Sequence, residues 1–383
     1  MQSELRPGIK KRSIKLIYLI LYNNYRMIVK KRIRTLDGFR GIFALMIILD
    51  HANNNSFITK NFIVRNSDYF VDYFFVLSGF VISYNYTSKI KSFSSYKDFI
   101  KKRLIRLYPL LLYTSLVYLG FKILWQHFGK ANAVESFRLL FLKLTETLSL
   151  LNSTPLFGNL ESINYPSWSI SSEMISYTVF GFALFAFKKN ATAVLSIICL
   201  GCILFIKLKG FYLLTNDFGC IRGLFCFILG YFVYLLSQKL TTIQFTSSYE
   251  LIFLFVLLLF FKYDPLILPI LFAVGIYIFI NGKGVVSRFL ETRQIQFLGR
   301  ISYSVYLNHA IVLLIIQKIF FNLLKSNPLS VSVNISYLSA TILLTIVYSY
   351  FTHKYIEVGV SNLLRGPGNK KSIKQNATSD SLP

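Results

Sequence analysis

Apolar stretches of roughly 15–20 residues recur along the whole chain, separated by short polar or basic segments. A helix of about 20 apolar residues crosses roughly 30 Å of hydrocarbon. The pattern predicts ten spans, at about 36–52, 68–87, 107–126, 168–187, 191–206, 218–236, 248–262, 264–281, 301–321 and 333–352. Only helices and closed barrels satisfy their backbone in lipid, and the alternating pattern of a barrel is absent. The chain therefore reads as an all-α polytopic membrane protein of about ten transmembrane helices. Residues 138–151 are apolar too, but they carry Arg138, Lys143 and Glu146. They fit a surface or re-entrant helix better than an eleventh crossing. No internal repeat is visible, so an inverted-repeat transporter gains no support.

Composition sharpens this picture. The chain is 54% hydrophobic and 15% charged, with a formal net charge of +26. In a soluble protein that charge would point to nucleic acid. Here it reads as the basic residues that hold the cytoplasmic ends of spans, and no nucleic-acid partner is expected. With the 1–35 leader inside, its ten Lys and Arg and the other inside segments hold 29 positive residues, against 11 for the outside segments and outer span ends. Both termini are therefore expected in the cytoplasm. The leader precedes a membrane domain at 36–360, and the polar 361–383 reads as a disordered cytoplasmic tail. The long outer segment, 127–167, looks like a substrate-facing loop. Cys199-x-x-Cys202 has a redox or metal spacing but lies mid-span with no nearby His, so it reads as buried thiols, and no metal site is expected.

The chemistry concentrates in the first span, LDGFRGIFALMIILDH, which holds Asp37, Arg40, Asp50 and His51. Charge within a bilayer is expensive and marks function by default. Arg40 and His51 are eleven residues apart, which is about 20° past three full turns, so they share a helix face. Their axial separation is roughly 16 Å. Asp37 and Arg40 can neutralise each other as an i,i+3 pair. Imidazole titrates near neutrality, so His51 can take a proton from a hydroxyl.

The Arg40-x10-His51 spacing, within Leu36-Asp37-Gly38-Phe39-Arg40-Gly41, resembles the signature of the acyltransferase type 3 family of integral membrane O-acyltransferases. Four later blocks resemble the same family: Asp72 to Phe80 (DYFFVLSGF), Lys102 to Pro109 (KRLIRLYP), Tyr165 to Glu173 (YPSWSISSE) and Gly299 to His309 (GRISYSVYLNH). Tyr355-Ile-Glu357-Val-Gly resembles the family's terminal aromatic-Glu block but lacks its usual Pro. Asp50 directly before His51 is also unusual. The five ordered blocks cover nearly the whole chain after the leader.

The resemblance implies transfer of an acyl group, acetyl above all, from acyl-CoA to a hydroxyl of a surface or exported glycan, polymeric or lipid-linked, in a bacterial inner membrane. No bound cofactor is expected; acyl-CoA is a co-substrate. His51 and Arg40 are the catalytic candidates, with His51 as general base or acyl carrier. Asp37, Asp72 and Glu173 orient His51 or balance an Arg. Arg103 and Arg106, three apart on one helix face, suit coenzyme A phosphates, since guanidinium pairs hydrogen bonds with phosphate oxygens. Trp168, Ser169, Tyr303 and His309 fall on the acceptor side, although Tyr303 and His309 are 240° apart on their helix and do not share a face. The rival readings are a transporter or flippase for a glycan intermediate, the other membrane-bound O-acyltransferase fold with its late histidine, and a non-catalytic assembly subunit.

Overall fold

The computed structural model describes residues 33–52, 58–128, 135–157, 160–240, 243–261, 265–323 and 330–365. Residues 1–32 of the leader and 366–383 of the tail lie outside the described residues. All ten predicted spans are helical. They are α1 (Arg34–His51), α2 (Phe70–Tyr86), α3 (Phe93–Phe128), then, after the extra helix α4 (Phe137–Leu148), α5 (Trp168–Phe187), α6 (Ala191–Lys209), α7 (Gly219–Lys239), α8 (Ser247–Phe260), α9 (Ile267–Ile280), α10 (Arg293–Gln317) and α11 (Val331–Thr352). Among the described residues there is no strand. The fold is all-α and polytopic. Five helical stretches are long and apolar enough to cross a membrane: Phe93–His127, Tyr165–Lys209, Gly219–Lys239, Arg293–Phe320 and Val331–Leu364. α8 and α9 are equally apolar but 14 residues each, or roughly 21 Å at 1.5 Å per residue. The outward faces are as lipid requires: Ile197, Leu200, Leu204 and Leu208 line one exposed side of α6 at helical spacing.

Two connections differ from expectation. The basic segment 88–106, which lies between the second and third predicted spans, is mostly the first turns of α3, which runs unbroken for 36 residues. Its apolar positions have helical spacing: Tyr96, Phe99 and Ile100 pack into the core, Phe99 edge-on against Tyr177 of α5. Pro109 lies inside α3. Having no N–H, it leaves the Ile105 carbonyl without its helical donor, and the Ser361 hydroxyl supplies one at 2.8 Å. The chain just past 360 is thereby pinned to α3 as a short helix, Ser361–Leu364, where the sequence reads as the start of a disordered tail.

α4 is a helix of 12 residues that doubles back along α3. Lys122 Nζ donates to Glu135 ahead of it at 2.6 Å, and Tyr108 Oη donates to the Leu148 carbonyl at its end at 3.1 Å. It is amphipathic in the inverted sense. Lys143, Glu146 and Thr147 are buried, while Phe137, Phe141 and Leu142 are exposed. A helix whose charged face turns inward and whose apolar face turns out belongs against lipid, in line with the re-entrant reading.

At the centre of the bundle α2 and α7 cross with backbones nearly touching. A methyl group at Gly79 would run into the Phe227 carbonyl, and one at Gly230 into that of Val76. Small residues at such crossings let helices approach closely in a membrane. Beside the crossing, Arg222 of α7 is fully buried, and its Nε donates to Oδ1 of the fully buried Asp72 at 2.7 Å. Tyr212 Oη donates to the other carboxylate oxygen at 2.9 Å, and the guanidinium lies over the Trp168 and Tyr212 rings at 5.4 and 5.3 Å. Removing one member of such a pair strands a buried charge and costs about 3–5 kcal/mol, whereas apolar replacement of both is often neutral. Asp72→Leu and Arg222→Leu should each lower the thermal midpoint of the detergent-solubilised protein sharply, and the double variant should recover much of it. Additive losses would mean the pair is not coupled.

Candidate active site

α1 and α10 run parallel and touch through glycine. A methyl at Gly41 would lie 2.7 Å from the Gly299 amide nitrogen, and one at Gly299 would collide with the Asp37 carbonyl. His51 is ten residues beyond Gly41, and His309 is ten beyond Gly299. Equal rises of roughly 15 Å from one contact bring both imidazoles to the same height. Their rings are parallel, with centroids 5.1 Å apart, and His51 Nδ1 is 2.9 Å from His309 Nε2.

The hydrogen bonds order this pair. His309 Nδ1 lies 2.5 Å from the Tyr306 carbonyl. A carbonyl only accepts, so this nitrogen carries the hydrogen and His309 Nε2 presents its lone pair. His51 Nδ1 must then donate to it. His51 Nε2 is the remaining basic nitrogen of the pair. Asp68 Oδ1 lies 3.4 Å from that nitrogen and is placed to face the imidazolium once it forms. Asp68 is itself held through its backbone: Arg222 Nη2 donates to its carbonyl at 2.8 Å. Tyr165 closes one side, its ring edge-on to His51 at 4.9 Å and to His309 at 5.5 Å. Asn164 Nδ2 ties this loop to α10 by donating to the Leu307 carbonyl at 3.1 Å. His309 is fully buried and His51 about a quarter exposed, so a reactant reaches His51 first.

This arrangement can move a proton to and from a bound hydroxyl. The match to known proteins agrees. A family model described as an acyltransferase domain, type 3, matches residues 33–353. The chain belongs to the acyltransferase type 3 family. It is a membrane acyltransferase. A Rhizobium radiobacter protein called "Protein 2 in picA locus" is similar, 29% identical over 169 residues, which cover 39% of this chain and 81% of that protein. No solved structure matches.

Within this acyltransferase the other sequence candidates have partners of their own. Arg40 pairs with Asp37 at 3.6 Å near the start of α1, roughly 16 Å along the helix from His51. Glu173 accepts from Ser78 Oγ at 2.6 Å and from Tyr177 Oη. Arg103 stands over the Tyr86 and Tyr177 rings, and its Nη2 donates to Tyr86 Oη at 3.1 Å. Arg106 faces Glu357 at 3.6 Å, a carboxylate that also accepts from Ser304 and meets His353 Nδ1, both at 2.8 Å. Asp72 balances Arg222 rather than touching His51. Trp168 is buried beneath Arg222, away from an open interface. Ser169 Oγ donates to the Pro166 carbonyl at 3.0 Å, and Tyr303 Oη to that of Leu107 at 2.9 Å.

Asp68 escaped the sequence reading. The one available signal is its place a helical turn before Asp72. Asp50, His51 and Asp68 each present one ligand-type atom, all within 4.8 Å of one another, the only arrangement among the described residues that could hold a metal ion.

The glycine contact makes a direct prediction. With the four native cysteines removed, His51→Cys and His309→Cys together should cross-link with a short bifunctional thiol reagent in native membranes. Adding Gly299→Val, which drives α1 from α10, should abolish the cross-link while each single cysteine still reacts.

Proposed function

We propose that the protein transfers an acyl group, acetyl in the simplest case, from acyl-CoA to a hydroxyl of a surface or exported glycan, free or lipid-linked. The observation that carries this reading is the ordered Tyr306–His309–His51–Asp68 array, which leaves one basic nitrogen, His51 Nε2, at the reachable end. The acceptor hydroxyl gives its proton to that nitrogen as its oxygen bonds to the thioester carbonyl carbon. The carbon–sulfur bond then breaks, and the departing thiolate takes the proton back from His51. Asp68 offsets the transient positive charge. An acyl-His51 intermediate uses the same atoms in two steps.

His309 is a positioning residue here: it fixes the tautomer of His51 and does not touch the acceptor. Arg40, neutralised in part by Asp37, acts from the donor side. Asp72 keeps Arg222, and through it Asp68, in place. Glu173 orders the Tyr177 and Arg103 surface. Trp168, Ser169 and Tyr303 shape the walls. The charge asymmetry supports both termini in the cytoplasm of a bacterial inner membrane, with donor entry near Arg103 and Arg106 and acceptor entry from the opposite side.

The test is acyl transfer from labelled acetyl-CoA to membrane glycan. His51→Ala should reduce the rate by roughly 10²–10⁴-fold, the usual share of a general base, without loss of protein from the membrane. His309→Gln should lower kcat and displace the pH profile while leaving the donor KM near wild type. A His51→Ala variant that keeps more than about a tenth of the activity removes the assignment. Sidedness is separately testable on intact spheroplasts. With an impermeant thiol reagent, Lys60→Cys should label and Ser92→Cys should not; the reverse would invert the topology.

A further inference from the structure

On α3, in the turn before Pro109, Arg103 and Arg106 are joined by a third guanidinium from the far end of the chain. Pro109 frees the Ile105 carbonyl, and Ser361 takes it. That bond seats the short helix Ser361–Leu364 beside the very turn of α3 that carries both arginines, and Arg365 follows it directly, its amide bonded to the Ser361 carbonyl. Arg365 is exposed and lies within reach of the positive charges of both Arg106 and Arg103. Glu357 answers only one of the three, Arg106, whose side chain is still 42% exposed. Among the described residues no carboxylate pairs with Arg103 or Arg365, and the buried Nε of Arg103 has no hydrogen-bond partner. Three neighbouring guanidinium groups, one of them paired with a carboxylate, suit a multiply charged anion.

We propose that Arg365 completes the donor site, joining Arg103 and Arg106 in binding the phosphates of coenzyme A. This rests on the acyl-CoA reading given above. The dimensions suit it. Arg103 lies four residues below Leu107, whose carbonyl meets Tyr303, and His309 lies six residues above Tyr303, so the climb from phosphates to imidazoles is roughly 15 Å at 1.5 Å per residue. The pantetheine arm has about twelve skeletal bonds from phosphate oxygen to sulfur, equal to about four extended peptide residues, or ~14 Å. Polar groups accompany the climb: Ser304 on Glu357, and Asn308, whose amide donates to Ser349 and Thr352 while its buried Oδ1 stays free to accept from an amide of the arm.

The experiment compares two donors on the full-length protein in membranes: acetyl-CoA, and acetyl-pantetheine, which has the thioester and arm but no phosphate. Arg365→Ala should raise the KM for acetyl-CoA about tenfold, the range of one charge-assisted hydrogen bond, and leave the KM for acetyl-pantetheine unchanged. Arg365→Lys should recover only part of the affinity. Ser361→Ala, which frees the terminal helix but keeps every charge, should act in the same direction. A lipid phosphate is the other anion this cluster could hold. In that case Arg365→Ala would shift both donors equally, and the proposal falls; an unchanged KM for acetyl-CoA overturns it as well. If the wild-type protein consumes no thioester at all, it is the acyl-CoA reading itself that fails.

Discussion

The buried Asp72–Arg222 pair is the constraint from which the site geometry follows. A charge inside a bundle within lipid must find its counter-charge, and here it does so between two helices whose backbones nearly touch. Once the pair is made, the guanidinium has donors left over, and one goes to the Asp68 backbone. That single bond aims the Asp68 carboxylate at His51. The Trp168 and Tyr212 rings lie against the cation. The electrostatic demand of one buried arginine thus organises residues of the candidate site that do not touch that arginine's carboxylate partner.

A second constraint is purely steric. α1 and α10 are distant in sequence, yet glycine at their contact lets the backbones meet, and parallel direction keeps them in step over the next ten residues. Two histidines separated by 258 positions become hydrogen-bonded neighbours as a result. Because helices are rigid rods over this distance, the contact acts at His51 and His309 as if it were local. The Tyr306 carbonyl then decides which nitrogen carries which proton. Polarity of the pair comes from a backbone group one turn away on the same helix.

The α3 helix shows how a local defect is used. Proline in mid-helix leaves an orphan carbonyl, and a carbonyl left without a donor away from water is costly. Ser361 satisfies it and, in doing so, fixes the end of the domain beside Arg103 and Arg106. α4 makes a related point from outside, with its charged face folded inward and its aromatic face turned outward.

Much was legible without coordinates. Hydropathy decided the fold class and located all ten helical segments, because lipid forces backbone hydrogen bonding to be local. The eleven-residue spacing in α1 singled out Arg40 and His51, since helix geometry is regular enough to compute a shared face from position alone. The same regularity showed that Tyr303 and His309 diverge. What pattern could not supply was partnership. The family resemblance singled out Asp72 as a residue that could balance an Arg, but which carboxylate balances which guanidinium depends on helix order around the bundle. Asp68 stands at the first position of the second predicted span, where an acidic residue is unremarkable. Glu357 was quoted only as part of a terminal block, and Arg365 was assigned to a tail. Their proximity to α3 required a hydroxyl to cross 256 positions to reach one carbonyl. Local periodicity determines which residues share a helix face; only helix packing decides which faces meet, because that choice is made by close approach and charge compensation between segments far apart in sequence.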